Sequence, residues 1–538
     1  MRRSTKRPAL GYCRSLLTLS IFALGLAAFS TTTAWAEIVD TFYIPGAGDS
    51  VCYIRHLNEA ALARSGGQLE GPADWPQYQG NAQHIGYNPT DESVPPLTFR
   101  WEHLLISGPI SPVAIVGNRV IATPWYPGPS VPNGAFLWCF DIETGDTLWW
   151  GSFGGADYMS QATYEAGLVY VAMFTSWFYV AAVEIETGAL VWMSPYREQD
   201  SHSLAATVYQ GRVFNAGNFY GGMHAFNAVT GEELWKIRYV AEDEWTPAVY
   251  LDRTYAFEAR RLYVNNVATG DSIYYFRPDT LDTDFSRGAL GQGNAPLLDT
   301  TNMLLYLTED SGLYCIDVSS DPKIVWKHKD EGIYFRVMPV LYDTLLIAMT
   351  KPNLSVYHAL TGQLLWTFDG YESFAYNYPP VVSNGYVYVS SPDRVYAIDI
   401  NTHQAAWTMD SDGGFVSIGN GCLCVSTHEG RLYCYGSPST DVADYPELNL
   451  PSGYMLEQNY PNPFNPTTQI SFTLPRRTDI RLEIFDPTGR LVETLAEGSY
   501  PAGEYSVEWN GTDHASGVYL YRLTAGDQVE SKKMVLVK

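Results

Sequence analysis

The sequence predicts an all-β protein: an eight-bladed β-propeller closed by the N- and C-terminal segments of its ring, followed by an immunoglobulin-like β-sandwich. Three observations carry this. The composition is rich in aromatic and turn residues, with 39 Tyr, 15 Trp, 46 Gly and 32 Pro, while only 17% of the 538 residues are charged; such a balance favours short strands joined by turns over helices. A strand–turn–strand unit ending in an aromatic residue recurs through the middle of the chain. Finally, the last 85 residues alternate apolar and polar positions in short runs separated by turn signals.

The elements follow in chain order. Residues 1–36 read as a secretory signal: Arg2, Arg3, Lys6, Arg7 and Arg14 precede the apolar run LLTLSIFALGLAAF, and Ala34-Trp35-Ala36 supplies a small-residue cleavage site. The alternative, an N-terminal membrane anchor, is disfavoured by the shortness of the run, and no later stretch is long enough to span a bilayer. Residues 37–73 form an arm in which IRHLNEAALARSGG suggests one short helix. The whole chain carries a net charge of −25, and losing the five basic residues of the signal makes it more acidic still. An acidic surface repels phosphate backbones, so nucleic acid is not an expected partner.

The propeller is expected over 74–436. Its unit is seen in LWCFDIETGDTLWW from Leu137, YVAAVEIETGALVW from Tyr179, GMHAFNAVTGEELW from Gly222, RLYVNNVATGDSIY from Arg261 and LSVYHALTGQLLW from Leu354. Glycine in the Thr-Gly turn suits a backbone of positive φ, and the aromatic four residues on can cover the space between neighbouring sheets. The aromatic marks are Trp101, Trp149, Trp192, Trp235, Tyr274, Trp326, Trp366 and Trp407, spaced 39 to 52 residues apart. A second strand pair precedes each unit, giving four strands per repeat. The last repeat, GFVSIGNGCLCVSTHEGRLYCYG, stops after three strands, and PPLTFRWEH around Trp101 has the look of the missing fourth. Joining them closes the ring and removes its open edge.

This repeat resembles the pyrroloquinoline quinone-type propeller repeat, and DWPQYQGNAQHIGYNP, Asp74 to Pro89, is similar to the lead-in that precedes the first blade of such proteins. The resemblance implies the architecture; the fold is shared by quinone-dependent dehydrogenases and by non-catalytic scaffolds of outer-membrane assembly. Such enzymes carry adjacent cysteines against the quinone and long insertions that build a calcium and quinone pocket. Here the nearest pair is Cys422-Leu423-Cys424 and the repeats are close to minimal length, so no cofactor is expected. Cys139, Cys315 and Cys434 occupy a position held by Ala225 and Ala397 in sister repeats, where a small apolar side chain fits. A disulfide from Cys434 to Cys422 or Cys424 across one hairpin is an open alternative.

No metal site is expected. Asp282 and Asp284 lack the spaced ligands of a calcium loop, GAGDS at Gly46 to Ser50 lacks a phosphate-loop ending, and the ten His show no ligand spacing. His358 replaces a turn-entry Asp or Asn and reads as structural. What remains is surface. Loops joining the fourth strand to the next repeat, and the second strand to the third, emerge on one face. Two are enlarged, TPWYPGPSVPNGAF and RPDTLDTDFSRGALGQGN. Trp125, Tyr126, Trp177, His202, Tyr220, Trp245 and Arg336 are the candidate ligand-binding residues there, suited to a protein or glycan partner at the cell surface. The alternative is an extracellular enzyme, a quinone-dependent oxidoreductase or a hydrolase or lyase, using that same face.

Residues 437–453, polar and proline-bearing, read as a linker. The segment 454–538 closely resembles the type A C-terminal sorting domain of type IX secretion, on NYPNPFNPTTQISFTLP, IFDPTGRLV, SGVYLYRL and the terminal KKMVLVK. The resemblance implies an outer-membrane secretion machinery as partner and a secreted or cell-surface destination. The prolines of the opening motif are expected to hold an extended lead-in.

Overall fold

The computed structural model describes residues 35–43, 50–64, 71, 73–125, 135–153, 158–174, 178–196, 205–217, 222–238, 246–258, 261–277, 295–309, 312–329, 337–350, 353–369, 378–411, 413–437, 454–474, 478–500, 503–512, 514–526 and 528–538. The chain divides into two compact units, 1–438 and 439–538. Most of the expected signal, GAGDS up to Asp49, Asp282, Asp284 and nearly all of the expected linker lie outside the described residues.

The first unit is a propeller of antiparallel sheets. Eight successive sheets of four or more strands are formed by the described residues, each ordered from an inner to an outer strand. In the first, these are Ala114–Val116, Arg119–Ala122, Ala135–Asp141 and Thr147–Phe153. In the last, Gly414–Gly419, Cys422–Thr427 and Arg431–Gly436 are completed by Thr98–Leu104 from the other end of the ring, with Cys434 opposite Trp101. The inner strands contact one another around the ring, and Gly414–Gly419 returns to Ala114–Val116.

One local rule builds every blade. The third strand carries a small or β-branched residue opposite the aromatic of the fourth: Cys139 opposite Trp149, Ala182 opposite Trp192, Cys315 opposite Trp326, Val356 opposite Trp366. A register shift follows directly after that residue in each case, Cys434 included. The aromatic then docks on the following blade. Trp149, Trp192, Trp235 and Trp326 donate their indole N–H to the carbonyls of Ile185, Ala228, Val267 and Ala359, at 2.7 to 3.0 Å. Each ring also covers the glycine of that blade's Thr-Gly turn. A Cβ on Gly231 (φ 73°) would sit 2.6 Å from the Trp192 ring. The repeat therefore needs glycine twice over, for its backbone angle and for the indole that lies on it. His403 takes the glycine's place in the seventh blade, with φ 59°, and stacks on Trp366 at 4.3 Å.

The arm is a hairpin, Trp35–Tyr43 with Ser50–Asn58, followed by the short helix Glu59–Arg64. Its second strand pairs with Thr147–Phe153 and extends the first blade outward. Tyr53 and Arg55 tie it to the carbonyls of Gly188 and Thr187 in the next blade. The hairpin begins at Trp35, two residues before the expected mature N-terminus. His358 makes none of the turn-capping bonds that Asp141 and Asn227 make, because its ring lacks a short acceptor oxygen; its buried Nδ1 has no partner among the described residues.

The second unit has two antiparallel sheets. Met455–Leu456, Thr467–Leu474 and Gly503–Asn510 form one; Leu491–Tyr500, Thr478–Phe485, Gly517–Ala525 and Gln528–Leu536 form the other. Their shared core holds Ile470, Phe472, Leu482, Ile484, Trp509, Tyr521 and Met534. The expected extended lead-in is instead bent back on the sheet. Asn459 Nδ2 donates to the Pro461 carbonyl and to Thr468 Oγ1, and Tyr460 pairs with Gln469. Phe464 is buried and exchanges backbone bonds with the last strand. The asparagine amides give this stretch side-chain bonds that a free polyproline segment lacks.

Candidate functional site

The inner edge of each blade presents backbone groups to the central bore. In this chain they are taken up by the lead-in. Residues 73–88 make a complete circuit and bond each blade in turn. Ala73 accepts from the Asn420 N–H, in the eighth blade. Trp75 exchanges two backbone bonds with Ile115 in the first, and Pro76 accepts from Tyr164 in the second. The Gln77 amide holds both backbone groups of Val208 in the third. Ala82 and Gln83 bond Val249 in the fourth, and Gln83 and His84 bond Leu298 and Pro296 in the fifth. Ile85 accepts from Leu341, Gly86 from Val382, and Asn88 Nδ2 closes the circuit on the Ile418 carbonyl and on Ala73. Apart from a short parallel pairing of Tyr87–Asn88 with the seventh blade, this strap has no ladder, so the amide side chains at Gln77, Gln83 and Asn88 do what strand pairing does elsewhere.

Inside the loop of the strap is a cavity of about 440 Å³, lined by Asp74, Pro76, Gln77, Asn81, Tyr87, Pro89, Tyr164 and Glu165, among others. It lies beside the turn between the first and second strands of the second blade, where Ala166 has φ 50°. Asp74 is fixed: Oδ1 accepts from Gly117 N and Asn420 Nδ2 at 2.7 Å each, and Oδ2 accepts from Gly71 N. Glu165 uses Oε2 to accept from Gly211 N. Asn81 uses Oδ1 to accept from Gln83 N. Tyr87 sits edge-on to Tyr342 at 4.9 Å, and partial burial, with Tyr342 and Asp343 nearby, pushes its hydroxyl pKa up. Among the described residues, no Lys, Arg or His lines the cavity.

The cup was not anticipated from the sequence. The available signal was the density of Asn, Gln, Trp, Tyr and Pro in Asp74 to Pro89. Of the predicted ligand-binding residues, Trp125 is described. It follows the second strand of the first blade, donates its backbone N–H to Pro109, and turns its half-buried ring edge-on to Phe415 at 5.9 Å, while Phe415 packs on Tyr378 at 4.9 Å. Part of Trp125 thus packs between the first and eighth blades. Tyr126, Trp177, His202, Tyr220, Trp245 and Arg336 lie outside the described residues, as do most of both enlarged loops.

Among the described residues, no cluster of His, Cys, Asp or Glu has metal-binding geometry. Cys139, Cys315, Cys422, Cys424 and Cys434 are buried free thiols. Cys424 faces Cys434 directly across two strands. Arg100 reaches Cys422 Sγ at 2.7 Å and Glu143 at 2.8 Å. The thiols of this cluster lie in the core at the ring closure.

Residues 176–442 match the family model described as outer membrane protein assembly factor BamB, and residues 458–538 match that of the secretion system C-terminal sorting domain. Two solved structures share the propeller fold. BamB from Moraxella catarrhalis is 16% identical over 63% of this chain and 99% of its own, with a TM-score of 0.50. Quinohemoprotein alcohol dehydrogenase from Comamonas testosteroni is 12% identical over 74% of this chain and 85% of its own, with a TM-score of 0.54. No curated protein matches.

Proposed function

We propose, from the premise that this chain joins a PQQ-like repeat β-propeller to a type IX secretion sorting domain that directs its export, that the mature protein is a non-catalytic binding module at the cell surface. Its partner is a protein segment held on the face formed by the loops that join successive blades. The observation that carries this is the strap. Its backbone and amide side chains occupy the inner edges of all eight blades, so the bore is built as structure. The thiols support the same reading: Cys422, Cys424 and Cys434 are buried at the ring closure, Cys422 against Arg100. The BamB-like repeat favours a protein partner over a glycan; likeness to an alcohol dehydrogenase is one of fold alone.

The test is an array of surface proteins, peptides and glycans probed with the mature full chain, alongside a Trp125→Ala/Tyr126→Ala double variant. A protein or peptide hit lost in the double variant supports the reading. Glycan hits alone would reassign the partner. Dye reduction after reconstitution with calcium and pyrroloquinoline quinone would overturn the non-catalytic assignment.

A further inference from the structure

We propose that the open cup lined by the strap is a saccharide-binding site for a single pyranose unit, separate from the partner face and independent of that assignment. Its volume of about 440 Å³ falls in the range of small-molecule pockets, roughly 300–1,000 Å³. The lining decides the class of ligand. Among the described lining residues, two carboxylates and no basic side chain disfavour an anion. Asp74 has both oxygens committed to N–H donors, so its charge is already compensated and gives a bare cation little. A purely apolar guest would strand the amides and carboxylates that face the cup.

A neutral polyol with one apolar face meets all three conditions. Pro76, Pro89 and the Tyr87 ring offer flat apolar walls against which the C–H face of a pyranose can pack. Three polar groups of the lining have no hydrogen-bond partner among the described residues. Asn81 has Oδ1 fixed by the backbone of the strap, which leaves its Nδ2 as an oriented donor. Glu165 has Oε2 fixed by Gly211, which leaves Oε1 as an oriented acceptor. The Tyr87 hydroxyl can do either. Ring hydroxyls are donors and acceptors at once, and they pair with such a set without any net charge. The strap is bonded to every blade, so the cup is pre-formed and little ordering is needed on binding.

The experiment is saturation-transfer NMR with isothermal titration, on the mature full chain, using glucose, galactose, mannose and N-acetylglucosamine as probes. At least one saturates the cup. Asn81→Asp, which keeps Oδ1 and removes the donor, and Glu165→Gln each weaken it by about tenfold. Gly71→Leu adds bulk at the rim where a Cβ meets Asn420 Oδ1 at 3.5 Å, an ordinary contact. It abolishes binding without removing a polar group, and serves if either polar variant is unstable. Trp125→Ala leaves sugar affinity unchanged, which separates this site from the partner face. Saturation by none of the four sugars overturns the proposal, as does binding indifferent to all three cup variants. So does a lysine ester or choline probe binding in their place and lost in Glu165→Gln.

Discussion

The indole of Trp101 donates to the carbonyl of Ile142 at 2.9 Å, and this bond joins the last blade to the first. Trp101 lies on the strand Thr98–Leu104 that completes the last blade, while Ile142 opens the Thr-Gly turn of the first. The same ring covers Gly145, where a Cβ would fall 2.6 Å from Trp101 Cγ. The contact is thus the same bond made between Trp149 and Ile185 or Trp192 and Ala228. The contact between the last and first blades is therefore of the repeat's own type, and the chain-end crossing lies instead in the pairing of Thr98–Leu104 with Arg431–Gly436.

Trp101→Phe keeps most of the buried area and removes one hydrogen bond, leaving the Ile142 carbonyl short of a donor. The expected cost is about 1–2 kcal/mol. Trp101→Ala also opens a cavity between the first and last blades, and the expected cost is about 3–5 kcal/mol. Chemical denaturation checks both. Because this contact anchors Thr98–Leu104 to the first blade, hydrogen exchange should rise first in residues 98–104 and in their pairing partners 431–436.

Gly231→Ala combines a left-handed backbone with a collision against the Trp192 ring. Roughly 1–3 kcal/mol is expected from the backbone and a similar amount from overpacking. Gly211→Ala has the same positive φ, 72°, and open space around the new Cβ. It should show the backbone part alone. The difference between the two variants, read from urea midpoints, measures what the indole contributes to the glycine requirement. Equal costs would mean that the turn geometry alone selects glycine.

The repeat was legible because its two strongest signals, an aromatic at fixed offset from a Thr-Gly turn, are consequences of one contact. Even the position of Cys139, Cys315 and Cys434 could be read, since each faces the aromatic and must be small. The course of the strap could not. Its partners include backbone atoms 330 residues away, as in Asn88 with Ile418, and no periodicity marks which amide meets which blade. The bend at Asn459 to Phe464 was missed for a related reason: proline content signals extension, while the asparagine bonds that reverse it depend on Thr468 and the last strand.

The five described thiols should be silent toward a thiol reagent in the native protein. All are buried, and burial pushes the Cys139 thiol far up and the Cys315 thiol up to about 12. The thiolate is the reactive form, so both barriers act together. Labelling the mature chain, without Cys13, in a Cys52→Ser background at mildly alkaline pH should give no modified thiol before denaturation and five afterwards. Fewer than five after denaturation under non-reducing conditions would reveal a disulfide among Cys422, Cys424 and Cys434.

His84 makes the strap sensitive to acid. It is buried, its Nδ1 donates to the Pro296 carbonyl at 3.1 Å, and the Tyr78 ring lies edge-on to it. Burial lowers its pKa from 6.5 to about 4, the bond to Pro296 opposing that shift in part. In the unfolded chain the imidazole takes a proton near pH 6.5, whereas in the folded chain it stays neutral until about pH 4. Between these values the unfolded state binds more protons, so stability is fully present above pH 6.5 and falls as the pH drops toward 4. The difference corresponds to roughly 3 kcal/mol. Glu233, whose pKa is lowered chiefly by its bond to His224, adds a separate loss below the ordinary carboxylate range. His84→Gln keeps a donor for Pro296 and cannot titrate. Its melting temperature should be lower than that of the parent at pH 7, because a flexible amide replaces a packed ring. Between pH 6.5 and 4.5 it should decline less steeply. Parallel curves for the two proteins across that interval would show that His84 is not the acid-sensitive element of the strap.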